Sequence, residues 1–483
     1  MRYVLSTLLF ALCLGAVPFG AVPFGAVPFG AVPFGAVPFG AVPFGAVPFG
    51  AVPFGAVPFG ASPAAAQTPE LDGLAQAARH APRDADAQTA YGRALLRAGS
   101  YRDAERVLKV AARLRHADPA ALYLVAEVAF ARRDYRASRA ACAPIERLGR
   151  DSLLARVCRA RAYLVWNRAG RAFEELDAAL AEAPNDFDAL LALGEAHRLR
   201  ADVPHAEDAY HRAIASNGAR YEPHLGLGQL YAQARRNSDA VRELSEAARL
   251  DPTNPEVAYE LGQLRSGADA IRLLEQATST RPGWAEAQLA LGHAKFAAGD
   301  SEGARAAFEA ALHVDSHLSP AHVGLGRILA AAHDTAGAER EYQAAILLVA
   351  NDADAVLALG ELYEATDRTQ QAFEQYQHAA DLDPQGTSAL LHAARLALAQ
   401  HRSVLATGFL DRLLRTRPRL AAALALYGDA LAESDRTRAR DFYQRSLTGE
   451  GDVDRAHVQA AIHELDAPQT HQPGLRRATV PDR

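Results

Sequence analysis

The sequence has few cysteines, few aromatic residues and almost no lysine. Of its 483 residues three are cysteine, 7% are aromatic, and Lys109 and Lys295 are the only lysines. Positive charge is therefore carried by arginine, which is dispersed among acidic residues without a basic block, and the formal net charge is -6. A nucleic-acid-binding protein is expected to concentrate basic charge, so this pattern disfavours a nucleic acid partner.

Motifs that carry catalysis or bind nucleotides and metals are also missing. The sequence contains no Gly-x-Ser-x-Gly, no His-Glu-x-x-His and no Walker-type phosphate loop. Gly-Leu-Gly occurs at 226–228 and 324–326, but the third glycine of a dinucleotide loop does not follow. His313, His317 and His322 are close in sequence, but they span an expected turn and have no cysteine nearby. We therefore expect no enzyme, no cofactor and no metal site.

Charge is missing from the N-terminal region as well. Between Arg2 and Glu70 no acidic or basic residue occurs, and an apolar run extends from Val4 to Leu14. This run has the length of the hydrophobic part of a secretory signal. Ala64 and Ala66 fit the small-x-small rule for signal cleavage, so export is indicated.

The pentapeptide AVPFG is repeated nine times without change from Ala16 to Gly60. Proline at every fifth position prevents one continuous helix, so a regular membrane-spanning helix through the array is not expected. We predict a signal peptide over residues 1–66, cleaved after Ala66, and a periplasmic or otherwise exported protein. A retained N-terminal anchor and a cytoplasmic start are the alternatives. The array is either a tolerated expansion of the leader or an element that tunes export.

What the sequence does contain is a repeated unit of 34 residues, of which Tyr221–Asn254 is one copy. Its first half places Leu227, Gly228 and Tyr231 on one helical stripe. The stripe of its second half consists of Ala240, Leu244, Ala247 and Ala248. Each copy is therefore predicted to be a pair of helices, with the small residues where the helices approach most closely.

Copies of this unit follow one another along most of the chain. Aligning the glycine at position 228 with its equivalents gives starts at 85, 119, 153, 187, 221, 255, 285, 319, 353, 387 and 421. The step is 34 residues except between Gly262 and Ala270, where four residues are missing. The copy that begins at Pro255 should therefore have a shortened first helix or a tight turn. Such a period over about eleven copies indicates a solenoid, in which each unit packs on its neighbours.

These copies resemble the tetratricopeptide repeat, whose helix-turn-helix pattern has Leu-Gly, then Tyr, then Ala-aromatic-Ala and a closing Pro. Segments Leu227–Pro252 and Leu359–Pro384 follow that pattern almost fully. The resemblance implies an all-α fold, a right-handed superhelical solenoid of about eleven helix-turn-helix repeats. Ala126, Ala160 and Ala394 depart from the pattern because they replace its glycine.

The same reading gives the domain boundaries. We expect a capping half-repeat at 67–84, the repeat solenoid at 85–452, a C-terminal capping helix at 453–466 and a disordered tail at 467–483. No integral membrane domain is expected in the mature chain.

In the tetratricopeptide repeat family, the first helices line the concave surface and present the residues that meet a ligand. The resemblance implies partner-binding residues spread over copies two to eight. They are Tyr123, Glu127, Phe130, Arg161, Glu195, Arg198, Gln229, Tyr259, Gln263, His293, Phe296 and Arg327. Tyrosine, phenylalanine and arginine are residue types that anchor interfaces. The lysine and asparagine clamp of the chaperone-tail binding subclass is absent, so that function is not implied.

We predict a non-catalytic protein–protein interaction scaffold, exported to the cell envelope, that binds a protein or peptide along its concave face. The alternative is an accessory or regulatory subunit of an envelope enzyme system, such as polysaccharide synthesis or export.

Cys142 and Cys158 are the only cysteines after the predicted leader. They lie in the second helix of copy two and the first helix of copy three, which the repeat architecture packs as neighbours. An oxidising compartment permits a disulfide between them. Two free buried cysteines are the alternative, since cysteine is often buried without a partner.

Overall fold

The computed structural model describes residues 69–116 and 118–466. The predicted signal peptide and the predicted tail lie outside the described residues. Within them the chain forms 24 α-helices joined by short turns. None of these helices combines the length and the apolar character needed to cross a membrane.

The helices are α1 (Pro69–His80), α2 (Ala85–Arg97), α3 (Tyr101–Leu114), α4 (Pro119–Ala131), α5 (Tyr135–Leu148), α6 (Leu153–Val165), α7 (Ala169–Glu182), α8 (Phe187–Leu199), α9 (Val203–Ser216), α10 (Glu222–Gln233), α11 (Asn237–Leu250), α12 (Pro255–Leu264), α13 (Gly267–Thr280), α14 (Ala285–Ala297), α15 (Ser301–Val314), α16 (Ser319–Ala331), α17 (Thr335–Leu348), α18 (Ala353–Ala365), α19 (Thr369–Leu382), α20 (Thr387–Ala399), α21 (Ser403–Thr416), α22 (Ala421–Leu431), α23 (Arg436–Leu447) and α24 (Arg455–Asp466).

These helices form consecutive packed pairs, from α2 and α3 to α22 and α23, with α1 and α24 at the two ends. The first helix of each pair begins at the start that the period predicted, except α10, which begins one residue later. The predicted all-α solenoid of helix pairs is confirmed.

The two helices of a pair occupy different layers of the solenoid. First helices of successive pairs contact one another, as α4 does with α6, α6 with α8, and α16 with α18. No comparable contact joins the second helices of successive pairs in the described part of the chain. The first helices therefore lie on the inner, more tightly curved side, and the second helices form the outer layer.

Glycine on the first helix determines how closely the helices of a pair approach. At Gly228 a Cβ atom would overlap the side chain of Leu244, and at Gly292 it would lie 2.5 Å from Cε1 of Phe308. Both partners are fully buried. The prediction that small residues mark the closest helix approach is confirmed at these positions.

Copy six accounts for the four residues missing from the period. Its first helix, α12, has 10 residues where the other first helices have 11 to 13. Only Arg265 and Ser266 separate it from α13, whereas three residues separate α16 from α17. The predicted deletion therefore both shortens the helix and tightens the turn.

Cys142 on α5 and Cys158 on α6 meet at the joint between copies two and three. The structure joins their sulfur atoms at 2.07 Å, with 5.8 Å between the Cα atoms, and both side chains are fully buried. Pro144 lies inside α5, which nevertheless continues to Leu148.

Copy one contacts the ends of copies five and six across the superhelix. The Arg97 guanidinium donates to Oδ2 of Asp251 at 3.0 Å, although 154 residues separate them. Arg281 donates from Nε to the carbonyl oxygen of Arg97 at 3.2 Å. Its side chain lies so close to Gly99 that a Cβ there would be 3.0 Å from Arg281 Cγ. One turn of the superhelix is therefore closed by side-chain contacts between distant copies.

Candidate interaction groove

The inner layer forms a groove whose wall consists of the first helices of copies two to eight. All the predicted partner-binding residues lie on these helices, α4, α6, α8, α10, α12, α14 and α16. The structure separates them into residues that bind one another and residues that face solvent.

In copies two and three the predicted side chains form an internal cluster. The Arg161 guanidinium donates to the Tyr123 hydroxyl at 3.0 Å and lies 4.8 Å from the centre of the Phe130 ring. Glu127 is 3.7 Å from the same guanidinium. Tyr123 and Phe130 are only 6% and 8% exposed. Both rings are therefore part of the wall and offer little surface to a partner.

In copies four and five the polar residues are also engaged within the fold. Gln229 donates from Nε2 to Oε1 of Glu260 at 2.9 Å. Arg198 lies beside the Tyr210 side chain, and Glu195 lies close enough to Arg161 to stabilise its charge. Like the cluster around Arg161, this section of the wall is largely satisfied by its own neighbours.

Burial raises the pKa of several carboxyl groups along the wall of the groove. Burial raises the pKa of Glu127, and the positive charge of Arg161 opposes that rise. Burial likewise raises the pKa of Asp188, against the opposing charge of Arg220. The pKa of Glu260 is raised by burial, while the hydrogen bond from Gln229 lowers it. Acidic and basic groups thus compensate one another along the wall.

Copies six to eight differ, and we call their five predicted residues the open segment: Tyr259, Gln263, His293, Phe296 and Arg327. Gln263, His293 and Arg327 are exposed, and the two aromatic rings are half-buried. Tyr259 is held by the Trp284 ring at 4.5 Å, measured between ring centres. Among the described residues, no carboxylate lies within ion-pair distance of Arg327, so its charge is available to a ligand.

The surroundings of His293 lower the pKa of its ring. Its ring meets Phe308 edge-on, with 5.1 Å between ring centres. Burial in the groove and the positive charge of Arg327 both lower its pKa. The open segment therefore presents one fixed cation, one imidazole and two partly covered aromatic rings.

The two Gly-Leu-Gly segments have a packing role. A Cβ on Gly226 would lie 2.5 Å from Cζ of Tyr210, and one on Gly324 would lie 2.5 Å from Cζ of Phe308. In each case a ring from the preceding copy rests against the glycine. These glycines therefore serve the contact between successive copies.

The histidines that lie together in the structure are not His313, His317 and His322, which are close in sequence. His322 binds Glu341 through Nδ1 at 2.8 Å, whereas His313 and His317 are exposed. The group that does converge is His197, Asp202 and His205, whose possible ligand atoms lie within 4.8 Å of one another. The sequence pattern of this group is His-x₄-Asp-x₂-His across a helix–turn–helix. It matches no common metal motif, so the sequence alone did not indicate the group.

Comparison with known proteins identifies the repeat. The sequence matches the family described as tetratricopeptide repeat over residues 200–255, 225–265, 256–322 and 323–387. The matched segments together span residues 200–387. No protein of curated function matches the sequence.

Several solved structures are similar to the chain. Yeast Tom70 is 14% identical with a TM-score of 0.44, and the match covers 80% of this chain and 96% of Tom70. The Cut9–Hcn1 hetero-tetramer of APC/C is 15% identical with a TM-score of 0.46, covering 75% and 81%. YrrB, a tetratricopeptide repeat protein with an unusual peptide-binding site, is 21% identical with a TM-score of 0.33, covering 39% and 100%. Identities this low carry no information about the partner of this chain.

Proposed function

We propose that the protein is a non-catalytic, exported scaffold that binds a protein or peptide segment in the inner groove. The observation that carries the proposal is the open segment, where accessible polar and aromatic side chains lie in a row on the inner helices. Tetratricopeptide repeats present protein-binding surfaces of this kind. The repeats supply the rigid support, because each helix pair is fixed by packing on its neighbours.

The proposal narrows the expected binding region from copies two to eight to copies six to eight. Opening the cluster of Tyr123, Phe130 and Arg161 would expose buried rings and leave a charge without its partners, which costs free energy. Residues of the open segment need no such rearrangement. Covering the exposed parts of Tyr259 and Phe296 adds apolar burial, and the charge of Arg327 favours an acidic group on the partner.

Site-specific photo-crosslinking in the source cells tests the groove. A photoreactive residue replaces Gln263, His293 or Arg327, each in a separate variant. Matched controls carry it at exposed positions of the outer helices in neighbouring copies, Arg305, Glu309 and Gln343. We expect one crosslinked partner that is common to the three inner positions and absent from the three outer ones.

A charge reversal in the groove gives a second test of the same crosslink. Arg327→Glu, placed beside a crosslinker at position 263, should reduce the crosslink by reversing the charge in the groove. Crosslinks from the outer positions only, or equal crosslinks from both layers, would contradict the assignment of the groove.

Export is the second part of the proposal. It is supported by the early charge of Arg2, the apolar run Val4–Leu14 and the small residues Ala64 and Ala66. N-terminal sequencing of the protein isolated from its source should begin at or next to Gln67. A mature chain that still contains AVPFG copies would contradict cleavage and favour the retained anchor.

A further inference from the structure

The turn between the two helices of copy four brings three side chains with metal-binding atoms together. His197 lies in the last turn of α8, Asp202 precedes α9, and His205 lies in the first turn of α9. Nδ1 of His197 is 3.1 Å from Oδ2 of Asp202, and Nδ1 of His205 is 2.8 Å from Oδ1. One carboxylate is thus shared by two imidazoles.

The equivalent aspartates of other copies behave differently. Asp134, Asp300 and Asp334 also precede the second helix of a pair, and each accepts a hydrogen bond from the backbone N–H three residues later. Such a bond is the ordinary role of an aspartate before a helix. Asp202 differs in that each of its two oxygens also contacts a histidine ring. Asp202 is therefore placed between two imidazoles, unlike these three aspartates.

Ring contacts hold both imidazoles in place. Their rings stack at 5.1 Å with an angle of 20° between planes, and His197 rests on Phe173 at 4.7 Å. Metal–nitrogen and metal–oxygen bonds of about 2.0–2.2 Å at a tetrahedral ion place neighbouring ligand atoms roughly 3.3 Å apart. In this structure the two imidazoles contact different oxygens of Asp202 at hydrogen-bond distances, and all the possible ligand atoms lie within 4.8 Å of one another.

We propose that His197, Asp202 and His205 form a binding site for a divalent transition-metal ion of the zinc class. Two imidazole nitrogens and one carboxylate oxygen are a donor set suited to zinc, and three protein ligands leave one position for water. The His205 side chain is 71% exposed, which gives the ion a path from solvent. A bound ion links the end of α8 to the start of α9 and so fixes the turn of copy four.

The proposal is tested by isothermal titration of the tag-free mature chain with Zn²⁺ alone at neutral pH. We expect saturable binding of about one equivalent per chain. His205→Ala and His197→Ala should each weaken binding by at least about tenfold, since even supporting residues of metal sites have effects of that size. Asp202→Asn keeps the shape of the side chain but removes its charge, and it should weaken binding as well.

His313→Ala provides the matched control, because His313 is an exposed histidine at the end of an outer helix. Its binding should equal that of the unmodified chain. NMR of histidine side chains adds a second readout, in which the signals of His197 and His205 shift on addition of Zn²⁺. Absence of saturable binding, or binding that is unchanged in both histidine variants of the site, would overturn the proposal. Circular dichroism shows whether each variant is folded.

Discussion

The joint between copies two and three and the joint between copies seven and eight use the same two repeat positions in different ways. In the first, Cys142 and Cys158 occupy these positions and are covalently joined. In the second, Phe308 and Gly324 occupy them, and the ring is fully buried against the glycine. One solenoid thus connects its copies by a covalent bond in one place and by shape complementarity in another.

The comparison also explains the departures from the repeat pattern. Phe308 fits between the glycines of two first helices, since a Cβ on Gly292 or on Gly324 would lie 2.5 Å from its ring. In copy two the facing residue is Ala126, and the partner at the position of Phe308 is the small Cys142. A methyl group is tolerated there because the side chain opposite is smaller.

The same rule holds in other copies. Glycine faces every aromatic residue at this position, as Gly194 faces Tyr210, Gly326 faces Tyr342 and Gly360 faces Tyr376. Where alanine replaces the glycine, the equivalent position of the second helix holds cysteine or leucine. These pairs are Ala126 with Cys142, Ala160 with Leu176, and Ala394 with Leu410. An aromatic residue at this position is therefore paired with glycine in each of these copies, whereas the smaller leucine or cysteine can face alanine, as close packing allows.

The largest effect is expected from emptying the aromatic joint. Phe308→Ala removes a fully buried ring that contacts two first helices. The cavity should cost about 3–5 kcal/mol of unfolding free energy in copies seven and eight. Urea denaturation measures the loss, and amide hydrogen exchange shows where it falls, because solenoid stability is local.

Phe308→Leu is the matched control. Leucine occupies the same position as Leu108 and Leu244, where it also faces a glycine. The variant should therefore lose much less stability than Phe308→Ala. Equal hydrogen exchange around residues 285–350 in Phe308→Ala and the unmodified chain would show that the ring does not hold the joint.

Much of the fold followed from the sequence, because a period of 34 residues with small residues at fixed places leaves few ways to pack. The positions of the two cysteines in the repeat were enough to indicate that they are neighbours. The shortened copy six was visible as a break in the period. Each of these features depends on residues that are close together in the sequence, so the repeat pattern is enough to predict it.

The groove was harder to predict, because the exposure of a side chain depends on how tightly the helices curve. Phe130 and Phe296 occupy the same repeat position, yet Phe130 is buried under Arg161 and Phe296 is half-buried. The contact of Arg97 with Asp251 joins residues 154 positions apart and has no sequence signal. Long-range geometry therefore determines which of the predicted residues are free to contact a partner.

A smaller effect is expected from the covalent joint. The sequence separation of the two cysteines is 16 residues. Closing a loop of about 15 residues stabilises by roughly 3 kcal/mol in the chain-entropy account. Cys142→Ala with Cys158→Ala should therefore lose about 2–3 kcal/mol in copies two and three, with little change near Phe308. Thiol labelling of the denatured, non-reduced exported protein comes first, and two free thiols per chain would contradict the disulfide.

The two joints can then be exchanged. Ala126→Gly, Cys142→Phe and Cys158→Gly together give copies two and three the same residues that Gly292, Phe308 and Gly324 provide. Because this joint needs no oxidation, the triple variant should keep copies two and three protected from hydrogen exchange under reducing conditions. Cys142→Phe alone should not keep these copies protected, because its ring would meet the methyl group of Ala126 and the side chain of Cys158. Overpacking of this kind costs about 1–3 kcal/mol of unfolding free energy. If the single variant were as protected as the triple one, matched sizes at these positions would not be what holds successive copies together.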